Sequence, residues 1–136
     1  MKTIPIYQVD AFTDKLFGGN PAAICPLTTW LPTPEMQKIA AENNLAETAF
    51  FISQGKDFEI RWFTPKIEID LCGHATLAAA YIIFTELSYP NDILHFHTLK
   101  AGTLSVTRRG DLYTLDFPSR IPEHCDIPAG IIEALG

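Results

Sequence analysis

The stretch CGHATLAAAYIIF, residues 72–84, decides how the rest of this 136-residue chain has to fold. From Ala75 to Phe84 it carries no charge, and Thr76 is its only aliphatic hydroxyl. A surface helix shows one apolar stripe and one polar face, whereas this segment is apolar all the way round. It predicts a helix over about residues 73–87 that sits at the centre of the fold and needs cover on every side. Its opening residues are Cys72, Gly73 and His74. The first turn of a helix has unpaired N–H groups and a partial positive charge, so a buried helix start suits an anionic substrate.

The segments around it supply the cover. Ile4 to Phe12 alternates and reads as a strand, and Ala22 to Pro26 reads as a short one after the Gly18-Gly19-Asn20-Pro21 loop. Thr33-Pro34-Glu35 predicts a helix start with a hydroxyl at the N-cap, proline next and an acid in the first turn. Met36, Ile39 and Ala40 form its apolar face, and Asn43-Asn44 is its stop. Thr48 to Ser53 and Phe58 to Thr64 are strands, and Pro65 to Asp70 leads into the central helix, which Tyr89-Pro90-Asn91-Asp92 breaks. Ile93 to Leu99, Gly102 to Arg108 and Asp111 to Asp116 are three more strands, the last two a hairpin about Arg109-Gly110. Strands on both sides of the helix in sequence imply an α+β layout, with a mixed, antiparallel-rich sheet wrapped round it like a barrel. Residues 1–117 form this unit, and 118–136 are a proline-rich tail that ends on the first turns of another helix.

Bulk properties narrow the function. Hydrophobic residues make up 47% and charged residues 19%, which fits a folded globular chain. The net charge is −6 and no basic cluster exceeds Arg108-Arg109, which disfavours nucleic acid or an acidic membrane surface as partner. The apolar run of 13 residues falls short of the ~20 needed to cross a bilayer. Met1-Lys2 runs straight into an alternating pattern, with no secretory signal, and Cys25, Cys72 and Cys125 are odd in number and widely spaced. The expected setting is the cytoplasm, with no metal site of ribbon type.

Five residues stand out chemically. Glu47 opens an apolar strand, with Leu45, Phe50 and Phe51 close in sequence. Taken alone it is an ordinary solvated strand-start carboxylate, but an apolar setting favours the neutral form of a carboxyl and lets it exchange a proton nearer neutrality. His74 in the first turn of the central helix is either a satisfied core histidine or a neutral ring offering one donor and one acceptor. Cys72 is either an inert buried thiol or a thiolate held by the same helix start. His95 and His97 share a strand face, and a zinc site with Cys72 and His74 lacks supporting spacing. Gly18-Gly19-Asn20 fits no nucleotide-loop pattern, and neither GxSxG nor HExxH occurs.

Four ordered motifs now carry a resemblance. VDAFT (9–13), FGGNPAAI (17–24), MQKIAAENNLAETAF (36–50) and RWFTPKIEIDLCGHATLAAAY (61–81) closely resemble the PhzF-like isomerases and epimerases of phenazine biosynthesis. The match is strongest to Tyr81 and weaker through the hairpin to residue 117. It implies a diaminopimelate-epimerase-like fold of two lobes, each a sheet round a central helix, with the site in the cleft between them and neither metal nor organic cofactor. It implies that Glu47 moves a proton, that His74 lies in the same pocket, and that Gly73 offers a backbone N–H to substrate. Asn20 of the GNP loop is a further binding candidate. The substrate would be a small carboxylated metabolite.

Two departures accompany the resemblance. Ala46 stands where the family often has serine, and the chain matches one lobe, without the acidic residue and glycine-rich segment that the family's other lobe supplies. The proline racemases, a cousin family, use cysteine in a similar CGH motif, which makes Cys72 a secondary acid/base candidate. The leading expectation is a cofactor-independent isomerase. The alternative is a single lobe, incomplete for catalysis, that self-associates and binds a small anion or a protein.

Overall fold

Strand alternation sorts the side chains onto two faces, and the two faces carry different cores. A computed structural model describes residues 3–119 and 121–136. In chain order its elements are β1 (Tyr7–Ala11), β2 (Asn20–Leu27), α1 (Thr33–Asn43), β3 (Glu47–Gln54), β4 (Asp57–Phe63) and β5 (Glu68–Ile69). They continue with α2 (Gly73–Thr85), β6 (Ile93–His97), β7 (Thr103–Arg109), β8 (Leu112–Asp116) and α3 (Ile131–Leu135). One sheet runs β1-β2-β3-β4-β6-β7-β8, with β5 paired to β4 off that path. Its inner face carries Ala22, Ile24, Ala49, Phe51, Ile60, Trp62, Phe96, Leu104 and Val106, all packed with α2. The outer face carries Cys25, Phe50 and Phe63 against Met36 and Ala40 of α1. The period of two in each strand thus serves both cores at once.

The sheet is mixed. β2 pairs with β3 in parallel and β4 pairs with β6 in parallel, while the other joints are antiparallel. Parallel neighbours need a crossover, and α1 and α2 are those crossovers. α1 covers the convex side and α2 fills the concave side, so the sheet curls round α2 as a half-barrel.

Small residues let that sheet approach. Ala75, Ala79 and Ala80 are fully buried and Ala78 nearly so, beside Ile83. Gly19, at φ +72°, sits where any side chain would run into the Ala11 carbonyl oxygen, so it fixes the entry into β2. Arg61 fastens the outer side. It makes two 2.7 Å hydrogen bonds to Glu68, a third of 2.9 Å to the Thr33 hydroxyl, and lies over the rings of Trp30 and Phe63.

Several expectations change here. α2 is not covered on every side: Leu77 is half-buried, and Tyr81 and Thr85 are exposed. They follow Gly73 at four-residue steps, so one stripe of the helix faces the gap between β1 and β8. The barrel stays open because these two strands end the sheet path rather than pair. The helix stops at Thr85 rather than Leu87, since the N–H groups of Glu86 and Leu87 both turn back to the Ile82 carbonyl. Thr33 is the first helical residue of α1 and Pro32 the N-cap, because the Thr33 hydroxyl is engaged by Arg61 instead of capping. The first strand starts at Tyr7 rather than Ile4, and the segment before α2 contains the short β5. The Asn43-Asn44 stop holds: Asn44 is left-handed at φ 51° and its N–H bonds the Ala40 carbonyl.

Because α2 meets the inner sheet through alanines, Ala79→Leu should overpack the core and destabilise by about 1–3 kcal/mol. Urea unfolding followed by tryptophan fluorescence tests this; an unchanged midpoint would mean that the helix–sheet gap has slack.

Candidate active site

Glu47 reaches its place through strand period. It is the first residue of β3 and shares the face of Ala49 and Phe51, the face that packs on α2. The chain arrives there through the left-handed Asn44, and Asn43 Nδ2 donates to the Thr48 hydroxyl at 3.1 Å. That bond ties the end of α1 to the start of β3 and so holds the residue beside it. His74 is the second residue of α2, and Cys72 is its extended N-cap.

These three residues meet. His74 Nε2 lies 3.2 Å from Glu47 Oε2, with side-chain exposures of 8% and 18%. On the other edge of the ring, Cys72 Sγ lies 3.4 Å from His74 Nδ1. The approach of Glu47 is oblique: Nε2 is within ion-pair distance of the carboxylate yet makes no aligned hydrogen bond, and it is buried. Closeness sets the electrostatics, and the misalignment leaves Nε2 open to another partner.

The sulfur is a thiol. Burial pushes Cys72 up to about 11, the Glu47 charge adds to this, and the nearby N–H groups of Ala75 and His74 oppose it. Burial outweighs both N–H groups, so the helix start does not stabilise a thiolate here. Cys25 on the outer face is pushed up to about 12 by burial alone.

The donor set of Glu47, Cys72 and His74, with atoms within 4.8 Å of one another, is the one among the described residues that could approach a metal ion. Cys72 and Glu47 address opposite nitrogens of one ring. His97 is committed elsewhere, at 3.3 Å from Asp57 and 3.0 Å from the Thr103 hydroxyl, and neither it nor His95 belongs to the cluster.

Gly73 opens α2, where its N–H is one of the free donors of the first turn, and a Cβ there would touch only the Phe117 ring, at 3.8 Å. Phe117, at the end of the β8 segment, is the neighbour that sequence reasoning missed, since nothing in its spacing ties it to residue 73. Asn20 begins β2 on the face of Ala22, which pairs with Glu47. It therefore stands at the same end of the sheet, about 7 Å back along the strand. Two surface concavities lie away from this cluster: one of about 520 Å³ at Phe12, Leu77, Tyr81 and Tyr113, and one of about 390 Å³ at Trp30, Arg61 and His97.

A half-barrel of mixed sheet curled round a buried helix is the diaminopimelate-epimerase-like fold. A protein named as a predicted epimerase from Pseudomonas aeruginosa shares this fold, with a TM-score of 0.68 at 24% identity over 82% of this chain and 41% of its own. Residues 9–127 match the family described as phenazine biosynthesis-like protein, PhzC-PhzF. The chain belongs to that family. An uncharacterized isomerase of Pseudomonas aeruginosa is 52% identical over 98% of this chain and 51% of its own length. A human phenazine biosynthesis-like domain-containing protein is 46% identical over 85% and 42%. The crystal structure of a PhzF-family protein from Enterococcus faecalis superposes with a TM-score of 0.86 at 50% identity, covering 96% of this chain and 50% of that one. The chain thus spans about half the length of the relatives it matches.

The state of the thiols is open to test by alkylation and peptide mapping. Exposed Cys125 should react first with iodoacetamide at pH 8, and Cys72 should lag. Its rate should climb about tenfold per pH unit towards 11, since only the thiolate reacts. A rate that levels off near pH 7 would mean a stabilised thiolate.

Proposed function

We propose that the protein is a PhzF-like isomerase that moves a proton on a small carboxylated metabolite, with Glu47 as base and then acid. The observation that carries this reading is the close, unaligned pair of Glu47 and buried His74 at the start of α2. A carboxylate substrate group would be held by the free N–H groups of the first turn, including that of Gly73. Glu47 would take a proton from an acidic C–H and return it to another carbon on the same face. His74 Nε2 would donate to the oxygen on which charge develops. Asn20, at the same end of the sheet, would bind a polar substituent. The scheme uses side chains and backbone alone and needs no organic cofactor. Cys72 is the weaker acid/base candidate, because burial and the Glu47 charge both hold it protonated. A cytoplasmic setting belongs to the same reading, supported by three unpaired cysteines. No helix among the described residues is long and apolar enough to cross a membrane.

Incubation of the full-length protein in D₂O with a panel of small unsaturated and amino carboxylic acids tests the proposal by mass spectrometry. At least one acid should gain deuterium at carbon, and Glu47→Gln should cut the rate by on the order of 10²–10⁴-fold while the fold survives. Exchange that persists in the variant would sink the assignment of Glu47. Binding without exchange across the panel would favour a non-catalytic anion-binding lobe.

A further inference from the structure

His74 has a neighbour on each ring nitrogen, and the two neighbours make different demands. Glu47 Oε2 stands 3.2 Å from Nε2, and Cys72 Sγ stands 3.4 Å from Nδ1. A neutral imidazole carries one N–H and one lone pair, so it has to choose which side donates. An ionised carboxylate only accepts, whereas a thiol can donate. With the proton on Nδ1, the Nε2 lone pair would face carboxylate lone pairs inside a buried site, which is repulsive. With the proton on Nε2, both contacts become attractive.

The backbone does not compete for the choice. Histidine tautomers are often set by a carbonyl that accepts from Nδ1–H. At the second residue of a helix the unpaired groups are N–H donors instead. The adjacent Cys72 carbonyl is already taken, by both the N–H and the hydroxyl of Thr76. The sulfur also keeps its proton, because burial and the Glu47 charge oppose the thiolate.

We propose that the Cys72 S–H donates to His74 Nδ1 and thereby holds the ring in its Nε2–H tautomer, with that N–H beside the Glu47 carboxylate and open to substrate. Cys72 is then a positioning residue. It orients the donor of the site and takes no part in proton transfer itself, which separates its role from that of an acid/base thiol. The purpose of this arrangement rests on the proton-transfer reading of Glu47, but the tautomer itself can be read without turnover.

The test is long-range ¹H–¹⁵N NMR at pH 8 on full-length protein carrying ¹⁵N-histidine. Wild type should show a protonated Nε2 and a pyridine-type Nδ1 for His74. Glu47→Gln, which removes the carboxylate's preference, should keep that pattern because Cys72 remains. Adding Cys72→Ala should move the Nδ1 signal towards a tautomer mixture, and Cys72→Ser in its place should restore the Nε2–H pattern through its hydroxyl. The signals of His95 and His97 in β6 report an intact fold in the same spectrum, and the serine variant serves should the alanine variant fail to fold. A wild-type ring protonated at Nδ1, a ring protonated at both nitrogens, or identical His74 shifts with and without Cys72 would overturn the proposal. Failure of Glu47 in the deuterium assay with the Nε2–H pattern present would remove the isomerase reading and leave the tautomer assignment in place.

Discussion

Everything in this molecule answers to one constraint, the burial of a helix with almost no polar surface of its own. α2 has its alanines and isoleucines inside, so a sheet must curve round it and close packing must come from small side chains. The curl brings the N-terminal ends of β2 and β3 over the start of α2. Glu47 is therefore set beside His74 by the same packing that stabilises the fold. The site needs no dedicated loop to hold it.

The parallel joints follow from the same constraint. A helix that fills the concave face has to be entered from one strand and left towards another pointing the same way, and β4-α2-β6 does this. α1 repeats the device on the convex face between β2 and β3. Its end, held by left-handed Asn44 and by the Asn43–Thr48 bond, delivers the chain to Glu47 in a defined register. In that register odd-numbered β3 residues face inward. A shift by one residue would turn Glu47 away from α2 and bring Thr48 in its place.

Local chemistry was legible in the sequence wherever it depended on near neighbours. The apolar run after His74, the strand alternation, the β7–β8 hairpin and the Asn43-Asn44 stop all rest on periods or turn propensities that act within a few residues, although the hairpin turns on Gly110-Asp111 rather than Arg109-Gly110, since Arg109 still pairs with Leu112. What lay out of reach depended on distant partners. Thr33 looks like an N-cap until Arg61, 28 residues away, engages its hydroxyl. Phe117 meets Gly73 only because β8 lies along α2. The open stripe of Leu77, Tyr81 and Thr85 could not be foreseen from hydrophobicity, since Tyr81 and Leu77 read as core in an all-apolar run. For the site, the ordered motifs pointed to Glu47, His74 and Gly73, and Cys72 stood out as the helix N-cap. They gave no sign that Cys72 and Glu47 would take opposite nitrogens of one ring, because that depends on how the His74 side chain lies between two elements.

Two close side-chain pairs in the chain show how geometry separates a fastener from a candidate reactive group. Arg61 and Glu68 meet through two hydrogen bonds of 2.7 Å, so the guanidinium and both carboxylate oxygens are satisfied. Such a pair is at rest: any change of partner costs two aligned, charge-assisted bonds. Glu47 and His74 come nearly as close, at 3.2 Å, but share no aligned bond, and Nε2 is buried without a hydrogen-bond partner among the described residues. A buried, under-satisfied nitrogen costs stability unless some other state of the molecule satisfies it. A substrate oxygen arriving at the start of α2 would do so while Glu47 is left free to reach a C–H. On the proposed reading the cost would be held in the free protein and relieved on binding, as in a site set for its ligand in advance.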